Sequence, residues 1–274
     1  MKIFREPAKL QKWARARRLA GRTVALVSTM GYLHEGHLSL IAAAKRKGAD
    51  EIVVSVFVNP VQFGPNEDYD KYPRDEKADL AKCRAAGATA VFFPTPANMY
   101  LDRHSVYVTE EDLSTGLCGA RRPGHFRGVC TVVAKLFNLA HPNFAVFGQK
   151  DYQQAQVIKR MVRDLNFDLK VVVAPIVREP SGLARSSRNT YLSAEEKERA
   201  LALSQALRDV AVGRSVAAER RRVVARLEKA GLKIDYVEFV DGATLAPVRK
   251  TAKGVCVLLA VYDGKTRLID NRVL

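Results

Sequence analysis

A chain of 274 residues, 47% apolar and 27% charged, has the balance of a folded globular protein rather than a disordered or fibrous one. Its 17 Gly and 11 Pro are scattered, which excludes collagen-like, low-complexity and solenoid architectures. The net charge of +16 suits a polyanionic partner, and both a nucleic acid and a small phosphorylated substrate meet that description.

Residues 2 to 22 carry eight Lys or Arg against Glu6 alone. Leu10, Trp13, Ala14 and the Arg17 stem recur at helical spacing, so this stretch is expected to be a surface helix. It lacks the apolar central run of a signal peptide. Short, nearly continuous apolar runs follow at Thr23 to Ser28, Glu51 to Val58, Ala90 to Phe93 and Phe144 to Phe147, and Leu169 to Val177 closes the series. Strands buried on both faces read this way. Helical patterns near 37–47, 74–87, 128–140 and 151–164 separate them. The alternation predicts an α/β fold, a Rossmann-like doubly wound parallel sheet with right-handed crossovers.

Composition changes after residue 177. Arg178 to Asn189 is rich in Ser, Arg and Gly and is expected to be a loop or hinge. Two charged helices (194–212 and 216–230) and three strands (Ile234 to Val240, Gly254 to Tyr262, Thr266 to Val273) follow, with Asp263-Gly264 marking a tight hairpin. The expected division is a Rossmann-like domain over 1–176 and a smaller α+β C-terminal domain over 177–274. The basic run Glu219-Arg220-Arg221-Arg222 is expected to be a solvated helix face.

Cys83, Cys118, Cys130 and Cys256 form no CxxC and no paired His spacing, so neither a zinc site nor a disulfide framework is indicated. The longest apolar runs, Ile52 to Val58 and Val255 to Tyr262, fall short of the roughly 20 residues of a spanning helix. A reduced cytoplasmic protein with no membrane association is expected.

The segment richest in chemical possibilities is Thr29-Met30-Gly31-Tyr32-Leu33-His34-Glu35-Gly36-His37, directly after a predicted strand and before a predicted helix. In doubly wound sheets, ligands bind where the carboxyl ends of strands meet helix N-termini. Gly31 and Gly36 let backbone approach a ligand, and N–H groups at a helix start attract anions. Two histidines three residues apart can both face a phosphate there. As an isolated pair they could equally be structural or bind a metal; the strand–loop–helix context favours nucleotide binding. An HxGH signature resembles the nucleotidylyltransferase superfamily.

Further segments narrow the resemblance. These are Phe57-Val58-Asn59-Pro60-Val61-Gln62-Phe63-Gly64, Tyr72-Pro73-Arg74, Arg122-Pro123-Gly124-His125-Phe126-Arg127-Gly128-Val129, Phe147-Gly148-Gln149-Lys150-Asp151-Tyr152-Gln153-Gln154 and Ser186-Ser187-Arg188-Asn189. In this order, from about Val24 to Leu192, the chain resembles the pantoate–β-alanine ligase family. The resemblance implies ATP-dependent joining of pantoate and β-alanine through a pantoyl adenylate, with release of pyrophosphate and AMP. It also implies Mg2+ accompanying ATP, a homodimer joined through the N-terminal domain, and a C-terminal domain acting as a lid.

Carried over by position, Met30, Gly31, Tyr32, Leu33, His34, Glu35, Gly36 and His37 would cradle ATP, with His34 and His37 on its phosphates and His37 as general acid. Gln62 and Gln154 would hold pantoate, and Asn59 and Tyr72 would line the second-substrate end. Gly148, Gln149, Lys150 and Asp151 would wrap the adenosine and phosphates, with Lys150 following a phosphate through the reaction. Val177 would touch adenine. Arg185, Ser186, Ser187 and Arg188 would close over the triphosphate, the last three counted with His34, His37 and Lys150 as catalytic. Arg122 and His125 are expected near pantoate and phosphate. Glu67, Asp68, Asp70, Asp75 and Asp79 are acidic candidates for the metal, with Asp79 best placed by resemblance.

The chain departs from the family pattern at Ser28, where proline is usual, and at Arg185, where methionine is usual; neither is expected to cost much activity. Two other readings compete. An adenylyltransferase would leave AMP on a phosphorylated acceptor, but amide side chains suit a polyol acid better. An RNA-binding relative of the tRNA synthetases is suggested by the +16 charge, but the chain shows no anticodon-binding module and no stacking aromatics on a basic face, with only 8% of residues aromatic.

Overall fold

The computed structural model describes residues 1–65 and 67–274. The chain divides into two compact units, one of Met1–Gly148 with Val157–Ala174 and one of Gln149–Gln156 with Pro175–Leu274.

Among the described residues of the first unit, the strands are β1 (Lys2–Phe4), β2 (Val24–Thr29), β3 (Glu51–Val56), β4 (Ala90–Phe92), β5 (Phe144–Gly148) and β6 (Lys170–Ala174). They form a six-stranded sheet in the order β1-β4-β3-β2-β5-β6, every pair parallel. The chain winds outward from β2 to β3 and β4, then returns to place β5 on the other side of β2. The strand order therefore reverses between β2 and β5, the position where such sheets open a crevice at their carboxyl edge. Val24 to Val27 are fully buried and pair in register with β3, as the apolar run requires.

Helices α1 (Pro7–Leu19), α2 (Glu35–Arg46), α3 (Glu76–Ala86) and α6 (His125–Ala140), with the short α4 (Pro96–Met99) and α5 (Leu117–Arg121), belong to this unit. Leu33, Leu40, Ile41 and Ala44 join Val27, Val54 and Val146 in one apolar cluster. α2 begins at Glu35 rather than 37, because the His34 side chain caps it. α6 begins at His125 rather than 128, after Gly124 turns the chain at φ +80°. The edge strand β1 and the short helices α4 and α5 escape sequence periodicity because each is too brief to show a period. β6 stops at Ala174, since Pro175 has no N–H for the ladder.

α7 (Tyr152–Asp164) begins in the segment grouped with the second unit and ends in the first. The second unit carries α8 (Ala194–Arg208), α9 (Val216–Lys229) and the antiparallel sheet β7 (Lys233–Asp241), β8 (Val255–Asp263) and β9 (Thr266–Val273) in the order β7-β8-β9. Asp263 pairs with Thr266, so Gly264 (φ +55°) and Lys265 form the two-residue turn of the predicted hairpin. α8 ends at Arg208, short of 212. Arg272 Nη1 donates to the carbonyls of Leu207 at 2.8 Å and Arg208 at 2.6 Å, satisfying the helix end.

The basic runs are laced with acids. Arg5 meets Glu76, Arg17 meets Glu51, Arg22 meets Asp50, Arg220 meets Glu238 and Arg222 meets Glu219. Among the described residues no helix is long and apolar enough to cross a membrane.

Candidate active site

The loop leaving β2 is held by hydrogen bonds from its own residues and from α3. Thr29 Oγ1 donates to Ser55 O at 2.8 Å and accepts from Gly31 N–H at 3.2 Å. Gly31 sits at φ +85°, where a Cβ would lie 2.9 Å from Val56 Cγ1 and 3.1 Å from Asp79 Oδ2, so only glycine fits. Tyr32 follows at φ +50°. Asp79, on α3 and 1% exposed, accepts from Tyr32 N–H at 2.8 Å and Leu33 N–H at 2.7 Å. Burial pushes its carboxyl above the usual range, against the pull of those two N–H groups and of Lys82. Lys82 Nζ donates to Leu33 O at 2.6 Å.

The two histidines then lock one another. His34 Nδ1 accepts from Gly36 N–H at 3.1 Å, and His37 Nδ1 accepts from His34 N–H at 3.3 Å, a reciprocal cap of α2. The rings lie 4.0 Å apart between centroids, tilted by 34°. Because each Nδ1 accepts from backbone, each neutral ring carries its proton on Nε2. The pair is thereby set as Nε2–H donors at a helix N-terminus, beside the switch point of the sheet.

A second assembly surrounds the short 3-10 turn Pro60–Gln62. Asn59 is 1% exposed; its Nδ2 donates to Gln62 Oε1 at 3.0 Å and Gly128 O at 3.2 Å, and its Oδ1 accepts from Tyr100 Oη at 2.7 Å. Gln62 Nε2 lies 3.3 Å from Met30 Sδ, joining this assembly to the β2 loop. His125 Nδ1 stands 3.0 Å from Gln62 O and its Nε2 stands 3.1 Å from Arg122 Nη1. Arginine only donates, so His125 Nε2 accepts and Nδ1–H donates to Gln62 O. Arg122 Nε donates to Glu67 Oε1 at 2.9 Å, and Arg122 Nη2 closes the pair on Oε2. Tyr72 is buried, its ring edge-on to Phe63 at 6.1 Å.

In the second unit, the turn Gln149–Asp151 is held by Asn271 of β9. Asn271 Nδ2 donates to the carbonyls of Gln149 and Lys150, each at 2.9 Å, and its Oδ1 accepts from Gln149 Nε2 at 3.2 Å. Lys150 is half-buried, Asp151 exposed and Gln154 half-buried. The predicted loop 178–189 contains a narrow hairpin: Arg178 pairs with Ala184, and Arg185 N–H donates to Val177 O at 2.9 Å. Asp270 grips Arg178 through both oxygens at 2.7 and 2.9 Å. Ser186 Oγ accepts from Arg188 N–H at 3.3 Å and caps the 3-10 turn Ser187–Tyr191, while Ser187 is buried. The Arg185 guanidinium lies 3.5 Å from Glu179 Oε1. Ser28 sits within β2, paired with Ser55.

Among the described residues no group of three or more His, Cys, Asp or Glu is placed to hold a metal ion. Of the acidic candidates, Glu67 engages Arg122, Asp75 caps α3 by accepting from Ala78 N–H at 2.9 Å, and Asp79 supports the β2 loop. Sequence reading missed Tyr100, Asp270, Asn271 and Glu179. Tyr100, Asp270 and Asn271 are far in sequence from the motifs they support, whereas Glu179 stands six residues from Arg185; none carries a local signature.

Comparison with known proteins gives the family. A family model described as pantoate-beta-alanine ligase matches residues 2–273. A pantothenate synthetase of Anaeromyxobacter dehalogenans is 55% identical over 280 residues, covering 98% of this chain and 97% of the relative. One of Clostridium acetobutylicum is 50% identical over 277 residues, covering 99% and 98%. The crystal structure of pantothenate synthetase from Thermus thermophilus superposes with a TM-score of 0.91 at 42% identity, covering 100% of this chain and 99% of that one. That of the pantoate-beta-alanine ligase from Francisella tularensis, complexed with beta-gamma ATP and beta-alanine, gives 0.84 at 33% identity, covering 100% and 97%. By matched length, identity and fold alike, the chain belongs to the pantoate–β-alanine ligase family and is a ligase of that class.

Proposed function

We propose that the chain joins pantoate and β-alanine in two steps at the residues described above. The observation that carries this reading is the pair His34 and His37, whose Nδ1 atoms are spent on backbone N–H groups, which makes Nε2–H of each ring the phosphate donor. A relative 33% identical was crystallised with beta-gamma ATP and beta-alanine, which supports ATP and β-alanine as substrates here.

In the first step a carboxylate oxygen of pantoate attacks the α-phosphorus of ATP. The bond to the β-phosphoryl oxygen breaks, and pyrophosphate leaves. Two anions must meet, so the work of the site is to spread charge. His34 and His37 would donate Nε2–H hydrogen bonds to the phosphates, that of His37 to the departing oxygen as charge gathers on it, and the N-terminus of α2 adds its dipole. Gln62 and Gln154 hold pantoate by side-chain amides. Lys150, Ser186, Ser187 and Arg188 serve the triphosphate, with Met30 to Leu33, Glu35, Gly36, Gly148, Gln149, Asp151, Val177 and Arg185 shaping the nucleotide's surroundings.

In the second step the free amine of β-alanine attacks the acyl carbon. The carbon–oxygen bond to AMP breaks and the amine loses a proton, giving the amide. Positioning beside the acyl adenylate and exclusion of water carry this step. Arg122 and His125 fix the backbone of Gln62, and Asn59 and Tyr72 shape the turn around it.

A divalent cation, expected as Mg2+, neutralises triphosphate charge when bound. The described residues supply no carboxylate cage, so it is expected to arrive with the nucleotide, and no step is assigned to it. A cytoplasmic homodimer completes the proposal; light scattering should give twice the chain mass of 30.4 kDa.

The deciding experiment is ATP–pyrophosphate exchange with and without pantoate, in Mg2+ and without β-alanine. Exchange only with pantoate supports the acyl adenylate. Absence of exchange at every pantoate concentration overturns the reading and favours transfer of AMP to another acceptor.

A further inference from the structure

We infer that Tyr100 is a positioning residue for the acid substrate, setting which end of the Gln62 amide is turned toward the site through a relay in which Asn59 is the middle member. The inference rests on the proposed role of Gln62 in holding pantoate.

The polarity of the relay follows from one fixed group. The carbonyl of Gly128 can only accept, so the Asn59 atom 3.2 Å from it is the amide nitrogen. Asn59 Oδ1 therefore faces Tyr100, and at 2.7 Å the phenol must donate to it. The second Asn59 N–H meets Gln62 at 3.0 Å, which makes the Gln62 atom there the oxygen. Gln62 consequently turns its Nε2 toward Met30. An amide that is free to flip offers an acid substrate a donor and an acceptor in alternation; this one is held as a donor, matched to carboxylate and hydroxyl oxygens.

Tyr100 is built to keep that role. It lies at the end of α4, its N–H donating to Pro96 O at 2.8 Å, and its ring stands against His104 at 5.0 Å and Phe57 at 6.3 Å. Burial raises its phenol above the ordinary range, so the donor proton stays in place through the working pH. Gly128 fixes the other end. A Cβ there would fall 2.6 Å from both Gln62 Cα and Val61 O, so α6 packs directly against the turn, and its Gly128 carbonyl stays within reach of the Asn59 amide.

The test compares wild type, Tyr100→Phe, Gln62→Ala and the double variant in pantoate-dependent ATP–pyrophosphate exchange. Tyr100→Phe keeps the ring and removes only the donor. Its apparent KM for pantoate should rise about tenfold, the scale of one lost hydrogen bond, while the KM for ATP stays unchanged. Tyr100 acts through Gln62, so adding Tyr100→Phe to Gln62→Ala should change nothing further. Should Tyr100→Phe fold poorly, Asn59→Ser breaks the same relay and should raise the pantoate KM in the same way. A lower melting temperature with an unchanged pantoate KM in both variants would show a structural role only, and additive effects in the double variant would show a route that avoids Gln62; either overturns the inference. An unchanged pantoate KM in Gln62→Ala overturns the substrate site itself, which is a different result from failure of Tyr100→Phe alone.

Discussion

Asp79 Oδ2 accepts the backbone N–H of Tyr32 at 2.8 Å, across 47 residues of chain, and its other oxygen accepts the next N–H along, that of Leu33. One carboxylate on α3 thus sets the path of the loop that delivers His34 and His37. The loop's left-handed residues, Gly31 at φ +85° and Tyr32 at φ +50°, are held in place by a group with no motif of its own.

Asp79→Asn is the first test of that anchor. Asparagine has one acceptor oxygen, so its NH2 group must face one of two N–H donors. The KM for ATP should rise by about tenfold or more, as expected for a buried donor left unpaired. The pH dependence has a definite sign. Burial raises the folded-state pKa of Asp79, so its stabilising contribution is present below the ordinary carboxylate range and is lost as pH rises through the raised value. The advantage of wild type over the variant in thermal unfolding should therefore be greatest at the acid end and shrink toward neutrality. A difference that grows with pH would contradict the assignment.

Gly128→Ala should destabilise the first unit. The added methyl falls 2.6 Å from backbone atoms of Val61 and Gln62, where nothing short of a backbone shift relieves it. Overpacking of this kind costs about 1–3 kcal/mol, which scanning calorimetry will register as a melting temperature several degrees lower. The pantoate KM should rise with it, since the turn that carries Gln62 must move.

Asn271→Asp addresses the second unit. The carboxylate would face the carbonyls of Gln149 and Lys150, to which the amide now donates at 2.9 Å. Loss of these bonds frees the turn carrying Lys150, and the KM for ATP should increase about tenfold. Kinetics indistinguishable from wild type would show that the turn holds its shape without β9.

Thiol chemistry should follow burial. Cys83, Cys130 and Cys256 are fully buried, and burial pushes each thiol up to about 12. At pH 8 a disulfide reagent should modify at most one cysteine rapidly, the partly exposed Cys118. In denaturant all four should react. Rapid modification of two or more in the native protein would mean that α3, α6 or β8 opens readily.

Much was legible in the residues alone. The strands from β2 to β5 announced themselves as apolar runs because a parallel sheet buries both faces, and the 6 residues of β2 show burial nearly throughout. The HxGH spacing was readable because a helix start places residues three apart on one side. Local patterns record local physics: periodicity, capping and turn chemistry. The tertiary structure decided what no window of sequence contains. It chose which nitrogen of each histidine bears the proton, by bringing backbone N–H groups to Nδ1. It gave Asp79 a loop to hold, Asn271 a turn to clamp, and Asn59 a fixed polarity borrowed from the Gly128 carbonyl. A hydrogen bond between residues dozens of positions apart depends on where folding brings them, and the direction in which each donates depends on the partners found there.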